Sequence, residues 1–317
     1  MSIRKTIFDS QNERELFTSI ESQWAAHGFA LYPQLPFRSV FDITKLNVTP
    51  EERSFLFKTS IDYTLCTKDG QPQLSIEFDG VSHGFSRHGE YIAVREAPRN
   101  DPRRHWKLDL KVRLATTEGY PLLVVSHQEK NSISEDTHLT ILDGAIGQVL
   151  AAQYFRAHVN EHVAEAEAQL TENTTKTDAH EYLQDAVSSL EVDADLKWNP
   201  LARAAAKAHY ELFASGISSG HSESYLDPPG VPAAVGLYSD SPEDVHQLEA
   251  RLDALNRATK VGCRVTFHTR LGPASADAWV RNMEHADVRP LGLAEDIAKI
   301  LAAQRAREMF RAASPPF

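Results

Sequence analysis

The chain has 317 residues, which is long enough for two domains of ordinary size, and its composition of 42% hydrophobic and 24% charged residues is typical of a soluble globular protein. The sequence contains no apolar run near the roughly 20 residues that cross a bilayer, and its N-terminus lacks the apolar core of a secretory signal. Its two cysteines, Cys66 and Cys263, exclude a disulfide framework and a cysteine zinc site. These features predict a cytoplasmic protein with no membrane partner.

The net charge of -11 argues against indiscriminate binding to nucleic acid, but the charge is unevenly distributed. Residues 1–130 carry 17 basic and 17 acidic side chains, whereas residues 131–317 carry 16 basic and 27 acidic ones. Within the first part, residues 87–113 hold eight Arg or Lys against four acids. Because local patches steer a polyanion more directly than total charge does, a nucleic-acid partner remains compatible with the first part of the chain.

The first half of the sequence predicts alternating helices and strands. In chain order these are a helix from the Ser10–Glu13 capping box to about Gly28, an extended segment at 29–40, a polar insertion at 44–54, strands at 61–66 and 73–79, a helix at 101–119, a buried strand at 121–126 and a long helix at 143–170. This order predicts an α/β domain over residues 1–170, with a mixed sheet flanked by helices.

The second half is predicted to be mainly helical. A polar linker at 171–180 is followed by predicted helices at 181–191, 200–215, 242–258, 274–285 and 293–313, a loop at 216–232 and one strand at 263–271. We therefore expect an accessory domain at 181–317.

Three acidic residues are expected to meet on the first predicted hairpin. Glu77 and Asp79 are two residues apart in a strand, so their side chains share one face. A two-residue turn at Asp69-Gly70 would place Asp62 directly opposite Glu77. Like charges facing each other across strands are destabilising unless a cation lies between them. Mg²⁺ prefers oxygen ligands, so the pattern predicts a Mg²⁺ site at Asp62, Glu77 and Asp79.

The helix after this hairpin offers basic partners for such a site. Arg104, Lys107 and Lys111 have the spacing of one helix face. A lysine beside a bound metal can stabilise the charge that develops on a phosphate, and a metal-activated water would be the nucleophile. His83, four residues after Asp79, is placed to donate to the phosphate or to transfer a proton.

The series Asp62, Ile76-Glu77-Phe78-Asp79-Gly80-x-x-His83, a basic helix and Gly119-Tyr120-Pro121-Leu122-Leu123-Val124-Val125 resembles the PD-(D/E)XK restriction-endonuclease-like superfamily. The likeness covers roughly residues 10–130 and is greatest to the very-short-patch-repair-like branch.

This resemblance implies a restriction-endonuclease-like fold and a DNA endonuclease in repair, restriction or phage defence. The enzyme would depend on Mg²⁺, with Mn²⁺ as a substitute, and Glu13 would assist the metal site. Asp79 stands where the superfamily motif has lysine, so Lys107 or Lys111 would supply the missing amine. Arg87, Arg95, Arg103 and Arg104 are the residues expected to contact nucleic acid.

Other interpretations of these residues stay open. The three acids are also compatible with the solvent-facing side of an amphipathic hairpin, Glu13 with a helix cap alone, and the two lysines with a solvated helix face. The chain would then be a catalytically inactive module that binds nucleic acid or a protein. A protein partner docked on the acidic C-terminal half and a homodimer are further alternatives.

Overall fold

The structure is a computed structural model. It describes residues 8, 11–78, 102–126, 129–134, 138–171, 174–227, 260–281, 283 and 287–313, with the backbone alone for 102–105 and 225. Asp79, His83, Arg87, Arg95 and the predicted helix at 242–258 lie outside the described residues, and Arg103 and Arg104 are described by their backbone only. Of the helices in the described part of the chain, none combines the length and the hydrophobicity needed to cross a membrane.

The chain divides into two compact units, residues 1–131 with 283–286, and residues 132–282 with 287–317. The elements of the first unit, in chain order, are α1 (Gln11–Ala25), β1 (Phe29–Pro36), α2 (Phe37–Val40), α3 (Pro50–Leu56), β2 (Ser60–Thr67), β3 (Pro72–Phe78), α4 (Pro102–Thr117) and β4 (Leu122–Val125). The sheet has the order β1-β2-β3-β4, in which β4 is parallel to β3 and the other pairs are antiparallel. The first unit is therefore a mixed α/β fold with a four-stranded mixed sheet.

The pairing of β2 with β3 confirms the register predicted for the acidic hairpin. Tyr63 pairs with Ile76, Thr64 with Ser75 and Leu65 with Leu74. One residue further in the same register, Asp62 would lie opposite Glu77. Nearer the turn the register shifts and Cys66 pairs with Pro72. Because proline has no N–H to donate, the irregularity falls at the turn end and leaves the acidic end in register.

Strand β4 and helix α4 close the core of the first unit. All four residues of β4 are buried, as expected for a strand covered on both faces. Leu110, Leu114 and Ala115 of α4 pack into a cluster with aromatic and aliphatic residues of α2, α3 and the sheet. Helix α4 thus lies directly against the sheet, and its buried positions face the strands that carry the predicted acids.

Two predictions for the segment between β1 and β2 are wrong. The extended segment ends at Pro36, where the short helix α2 begins, and the polar insertion contains α3. Helix α3 begins with a full capping box, in which the Thr49 backbone N–H donates to Glu52 and the Glu52 backbone N–H donates to the Thr49 hydroxyl. The sequence Thr49-Pro50-Glu51-Glu52 carries this helix-start signal within a segment whose polarity alone favours a loop.

The second unit combines helices with a sheet. Its elements are α5 (Ile141–Glu167), α6 (Lys176–Trp198), α7 (Pro200–Ala214), β5 (Ser218–Asp227), β6 (Lys260–Thr269), β7 (Gly272–Arg281) and α8 (Pro290–Ala313). Helix α5 packs against α6 and α7, so the polar segment predicted as an interdomain linker joins two helices of one unit. The compact division thus falls at 131/132, before α5, and differs from the predicted boundary after residue 170.

Two predictions for the second unit are wrong, because the segments concerned belong to the antiparallel sheet β5-β6-β7. The loop predicted at 216–232 contains β5, and the helix predicted at 274–285 overlaps β7. The alanines of β7 favour a helix in isolation, but every residue of β7 is paired with β6, so pairing overrides the local preference.

Gly147 of α5 provides a test of the packing in the second unit. A Cβ atom there would lie 2.6 Å from the Asn199 Cα and 2.9 Å from the Trp198 carbonyl oxygen, both of which are backbone atoms. We expect Gly147→Ala to lower the free energy of unfolding by about 1–3 kcal/mol, because the helices must move apart. Thermal and urea unfolding measure this change.

Gly292 of α8 is the matched control for this substitution. A Cβ atom there would meet only the end of the Gln148 side chain at 3.4 Å, so Gly292→Ala should be neutral or slightly stabilising. Equal stability of the two alanine variants would contradict the close approach at Gly147.

Candidate metal and catalytic site

Glu77 of β3 and Lys111 of α4 form a buried ion pair. The Lys111 Nζ lies 2.7 Å from the Glu77 Oε1, and the two residues are only 7% and 8% exposed, respectively. The same ammonium donates a hydrogen bond of 2.7 Å to the Ser60 carbonyl oxygen at the start of β2. Lys111 therefore joins the helix to both strands of the predicted acidic hairpin.

Asp62 lies at the same end of the hairpin and is held by two donors. The Phe78 backbone N–H donates to the Asp62 Oδ2 at 2.8 Å, and the Gln34 side-chain amide donates to the Oδ1 at 3.2 Å. Phe78 directly follows Glu77 in the chain, so the carboxylate of Asp62 is fixed beside the residue that carries the ion pair. Asp62 thus lies at the end of the hairpin that carries the contact between Glu77 and Lys111, and these are three of the predicted site residues.

Gln34 of β1 is a site residue that the sequence analysis missed. Its φ of 53° lies in the left-handed region, which is unusual for a residue other than glycine and costs about 1–3 kcal/mol. The Gln34 amide accepts a hydrogen bond from the Ser60 hydroxyl at 2.8 Å while it donates to Asp62. Strain of this kind persists where the surroundings hold it, so Gln34 is a positioning residue for Asp62. The only sequence signal was its place between Pro33 and Pro36.

A line of hydroxyl groups extends the polar face of the sheet away from the acids. The Thr64 and Ser75 hydroxyls are 3.0 Å apart, and the Ser75 hydroxyl is 3.0 Å from the Tyr120 hydroxyl. Thr64 and Ser75 are fully buried and stand two residues from Asp62 and Glu77, respectively, on the same face. These bonds compensate for burying polar atoms and fix the β2–β3 register that places the acids.

The contacts of two further predicted site residues, Glu13 and Lys107, differ from those of Lys111. The Tyr63 hydroxyl donates to the Glu13 backbone carbonyl oxygen at 2.8 Å, and burial together with the charges of Glu13 and Asp62 raises the pKa of Tyr63. Lys107 is exposed, and its ammonium lies 5.7 Å from the centre of the Phe55 ring. Lys111, and not Lys107, is therefore the lysine that contacts Glu77.

The donor set suits a hard divalent cation. Asp62 and Glu77 offer carboxylate oxygens, and Mg²⁺ takes one or two carboxylates while it keeps several waters or phosphate oxygens. Within the described residues, no group of three or more His, Cys, Asp or Glu side chains is arranged to hold a metal ion. The predicted third acid, Asp79, is outside those residues, so a cation here would be held by two carboxylates of the described part.

Comparison with known proteins found no relative of this chain. No family model matches the chain, and neither a curated protein nor a solved structure matches it. The likeness to the superfamily therefore rests on the residue pattern, and the functional conclusion rests on the geometry of Asp62, Glu77 and Lys111.

A second cluster of charged groups lies in the second unit, between β5 and α8, and was missed by the sequence analysis. The Glu223 Oε1 lies 2.8 Å from the Lys299 Nζ and 3.0 Å from the His221 Nε2. Glu295 forms a hydrogen bond with Glu223, and Asp296 is within the range of the same charges. Neighbouring residues in α8 and alternate residues in β5 supply the cluster, a pattern that carries no motif.

Burial and mutual repulsion control protonation in this cluster. Burial, the hydrogen bond to Glu223 and its negative charge raise the pKa of Glu295 to about 8. Burial raises the pKa of Asp296 to about 7, with Asp195 and Glu223 adding to the effect and Lys299 opposing it. Burial also opposes ionisation of Glu223, but its hydrogen bonds with His221, Glu295 and Lys299 outweigh burial and lower its pKa.

These pKa shifts predict that the second unit loses stability as the solution becomes alkaline. Glu295 and Asp296 hold protons in the folded state that the unfolded chain has released, so their contribution is complete below a pH of about 4 and is lost as the pH rises through about 7 to 8. Glu223 has the opposite dependence, but its contribution is lost only in strong acid. Between pH 6 and pH 9 we therefore expect the unfolding temperature to fall by at least about 3 °C.

Glu295→Gln tests this dependence, because an amide keeps a donor for Glu223 and cannot ionise. The variant should lose less stability between pH 6 and pH 9 than the wild type, as measured by calorimetry. Glu308→Gln, at an exposed position of the same helix, is the control and should follow the wild type. Parallel pH profiles for all three proteins would show that Glu295 is not the group responsible.

Proposed function

We propose that the first unit is a metal-dependent nuclease that hydrolyses phosphodiester bonds in DNA. The observation that carries the proposal is the contact of 2.7 Å between the Lys111 ammonium and Glu77, beside the fixed carboxylate of Asp62. Two carboxylates and one lysine are the groups that the resemblance to the PD-(D/E)XK superfamily requires. With Asp79 in the usual lysine position, α4 offers the amine that the motif itself lacks.

The fold of the first unit supports the same proposal. The resemblance implies a mixed sheet flanked by helices, with a basic helix between the acidic strand and a buried strand. The sheet β1-β2-β3-β4 has its acidic end at Asp62 and Glu77, and α4 connects β3 to the parallel strand β4. The likeness supports a restriction-endonuclease-like domain.

In this mechanism Asp62 and Glu77 would hold the cation, and Asp79 would be a further ligand or the base that orients water. Mg²⁺ or Mn²⁺ bound there would supply a Lewis acid that activates the water. Gln34 keeps the Asp62 carboxylate in place, and Lys111 stabilises the negative charge that develops on the phosphate. The water oxygen would bond to phosphorus as one phosphorus–oxygen ester bond breaks. Asp79 would take the proton that the water loses, and the departing oxygen would take a proton from His83.

The remaining predicted residues have supporting roles in the proposal. Arg87, Arg95, Arg103 and Arg104 would contact the DNA backbone, and Glu13 would assist the metal site, as the resemblance implies. Lys107, held over Phe55, belongs with the DNA-contacting group. Repair, restriction and phage defence are the settings in which such an endonuclease would act.

A catalytically inactive module is the second candidate, and one observation favours it. The Lys111 ammonium also bonds to the Ser60 carbonyl oxygen, so the ion pair fastens α4 to the sheet and would stabilise the fold without any cation. In that case the chain would bind nucleic acid or a protein partner without cutting.

Cleavage assays distinguish the two candidates. Plasmid and oligonucleotide DNA are incubated with Mg²⁺ or Mn²⁺ and the wild type, Asp62→Asn, Glu77→Gln or Lys111→Met. Each substitution should lower the cleavage rate by about 100-fold or more, because each removes a group that binds the cation or stabilises the transition state. Lys68→Met, an exposed position in the turn at the other end of the hairpin, should retain cleavage.

The stability of these variants must be measured alongside cleavage. Removing one partner of a buried ion pair leaves an uncompensated charge and costs about 3–5 kcal/mol, so the assay temperature is kept below each unfolding transition. Cleavage that survives both Asp62→Asn and Glu77→Gln would eliminate this site. DNA binding without cleavage by any form would favour the inactive module.

A further inference from the structure

Helix α7 of the second unit carries apolar side chains on two of its faces. One face packs into the unit through buried leucine and alanine side chains. On another face, four apolar residues that share one side of the helix are exposed: Ala206, Tyr210, Phe213 and Ala214. We call these four residues the outer face of α7. An apolar helix face is normally covered, so the outer face of α7 indicates a contact partner.

Two aromatic rings dominate the outer face of α7. Tyr210 is 72% exposed and Phe213 is 50% exposed, which makes them the most exposed Phe, Tyr or Trp side chains in the described part of the chain. The edge of the Phe213 ring packs against His209, with ring centres 5.7 Å apart, so this side chain is held in place. Single apolar residues on a surface are ordinary, whereas adjacent aromatic rings flanked by alanines are typical of a contact site.

The charges beside the outer face of α7 are nearly balanced. The Glu211 carboxylate lies 2.7 Å from the Arg307 guanidinium and 3.8 Å from the Lys207 ammonium. The Arg203 guanidinium donates to two backbone carbonyl oxygens at the end of α6. This surface therefore has neither the excess of positive charge that attracts nucleic acid nor the excess of negative charge that attracts a basic protein.

A second copy of this chain is the occupant that these charges fit. The net charge of -11 opposes self-association, and the exposed acids of α5 and α6, which include Glu161, Glu165, Glu181 and Asp185, would repel the same acids of another copy. This repulsion does not act at the outer face of α7, because Glu211 is neutralised by basic groups of its own chain. Two copies can therefore meet there and bury their aromatic rings.

The order of charges along α7 is complementary to itself. Lys207 and Glu211 lie one turn apart on the same side of the outer face. If two α7 helices pack antiparallel about a two-fold axis near Tyr210, this side of one helix meets the same side of the other in reverse order. Lys207 of each copy is then opposite Glu211 of the other, and the two Tyr210 rings meet at the centre. A parallel arrangement would instead place like charges together.

We propose that the chain forms a homodimer through the outer face of α7, with the two α7 helices antiparallel. From Ala206 to Ala214 the contact extends about 12 Å along the helix axis. Two helices of this length bury less than the roughly 1,200 Å² of a stable interface, so the dimer is weak and reversible, with a dissociation constant in the micromolar range. The proposal goes beyond the proposed nuclease function and does not depend on it.

Sedimentation velocity of the full-length protein from about 1 to 200 µM tests the proposal. The wild type should change from monomer to dimer as the concentration rises. Tyr210→Ser should raise the dissociation constant by about tenfold or more, because each dimer loses two buried rings. Val192→Ser is the matched control, since Val192 is a 57% exposed apolar residue of α6 away from the outer face of α7, and this variant should associate like the wild type.

Charge reversal tests whether the contact is between two copies. Lys207→Glu and Glu211→Lys should each dimerise less than the wild type, because like charges then meet across the contact. An equimolar mixture of the two variants, one of them dye-labelled, should associate more tightly than either variant alone, since an acidic side then meets a basic one. A wild type that stays monomeric, a dimer that Tyr210→Ser leaves unchanged, or a mixture that associates no better than its components would overturn the proposal.

Discussion

The buried ion pair between Glu77 and Lys111 is the interaction on which the first unit depends. Removing two charges from water is unfavourable, and the pair is compatible with a folded core only because its partners are close and the ammonium also bonds to the Ser60 carbonyl oxygen. The pair therefore determines where α4 lies on the sheet. The proposed catalytic role gives a reason for a charged pair at a place where apolar side chains could pack.

Asp62 and Gln34 extend this constraint to the first strand. Gln34 adopts a left-handed backbone conformation within β1, and its amide connects the Ser60 hydroxyl with the Asp62 carboxylate. Backbone strain and a buried ion pair thus occur together at one end of one sheet. Features that each cost stability, gathered in one place, are characteristic of sites that are maintained for function.

The sequence predicted the position of the acids because local rules govern a hairpin. The alternation of β2 and β3 predicted the register that leads to Asp62 opposite Glu77. The two-residue turn predicted at Asp69-Gly70 is wrong, because the Thr67 N–H donates to the Gln71 carbonyl oxygen across a wider turn. The shift between Leu65 and Cys66 compensates for this and keeps the acidic end in the predicted register. The choice between Lys107 and Lys111 did not follow, since helix spacing gave both lysines the same face and only the packing of α4 separates them. β7 was missed for a related reason: its pairing with β6 depends on residues that are distant from the local helix signal.

The central claim is that Asp62 and Glu77 hold a divalent cation together with a nucleic-acid phosphate. Electron paramagnetic resonance of free Mn²⁺, titrated into the full-length protein with a phosphorothioate oligonucleotide that resists hydrolysis, measures this directly. We expect a saturable Mn²⁺ site that is strengthened by the oligonucleotide, is lost in Asp62→Asn and Glu77→Gln, and is retained in Lys68→Met. Identical Mn²⁺ binding by the wild type and both acid variants would contradict it.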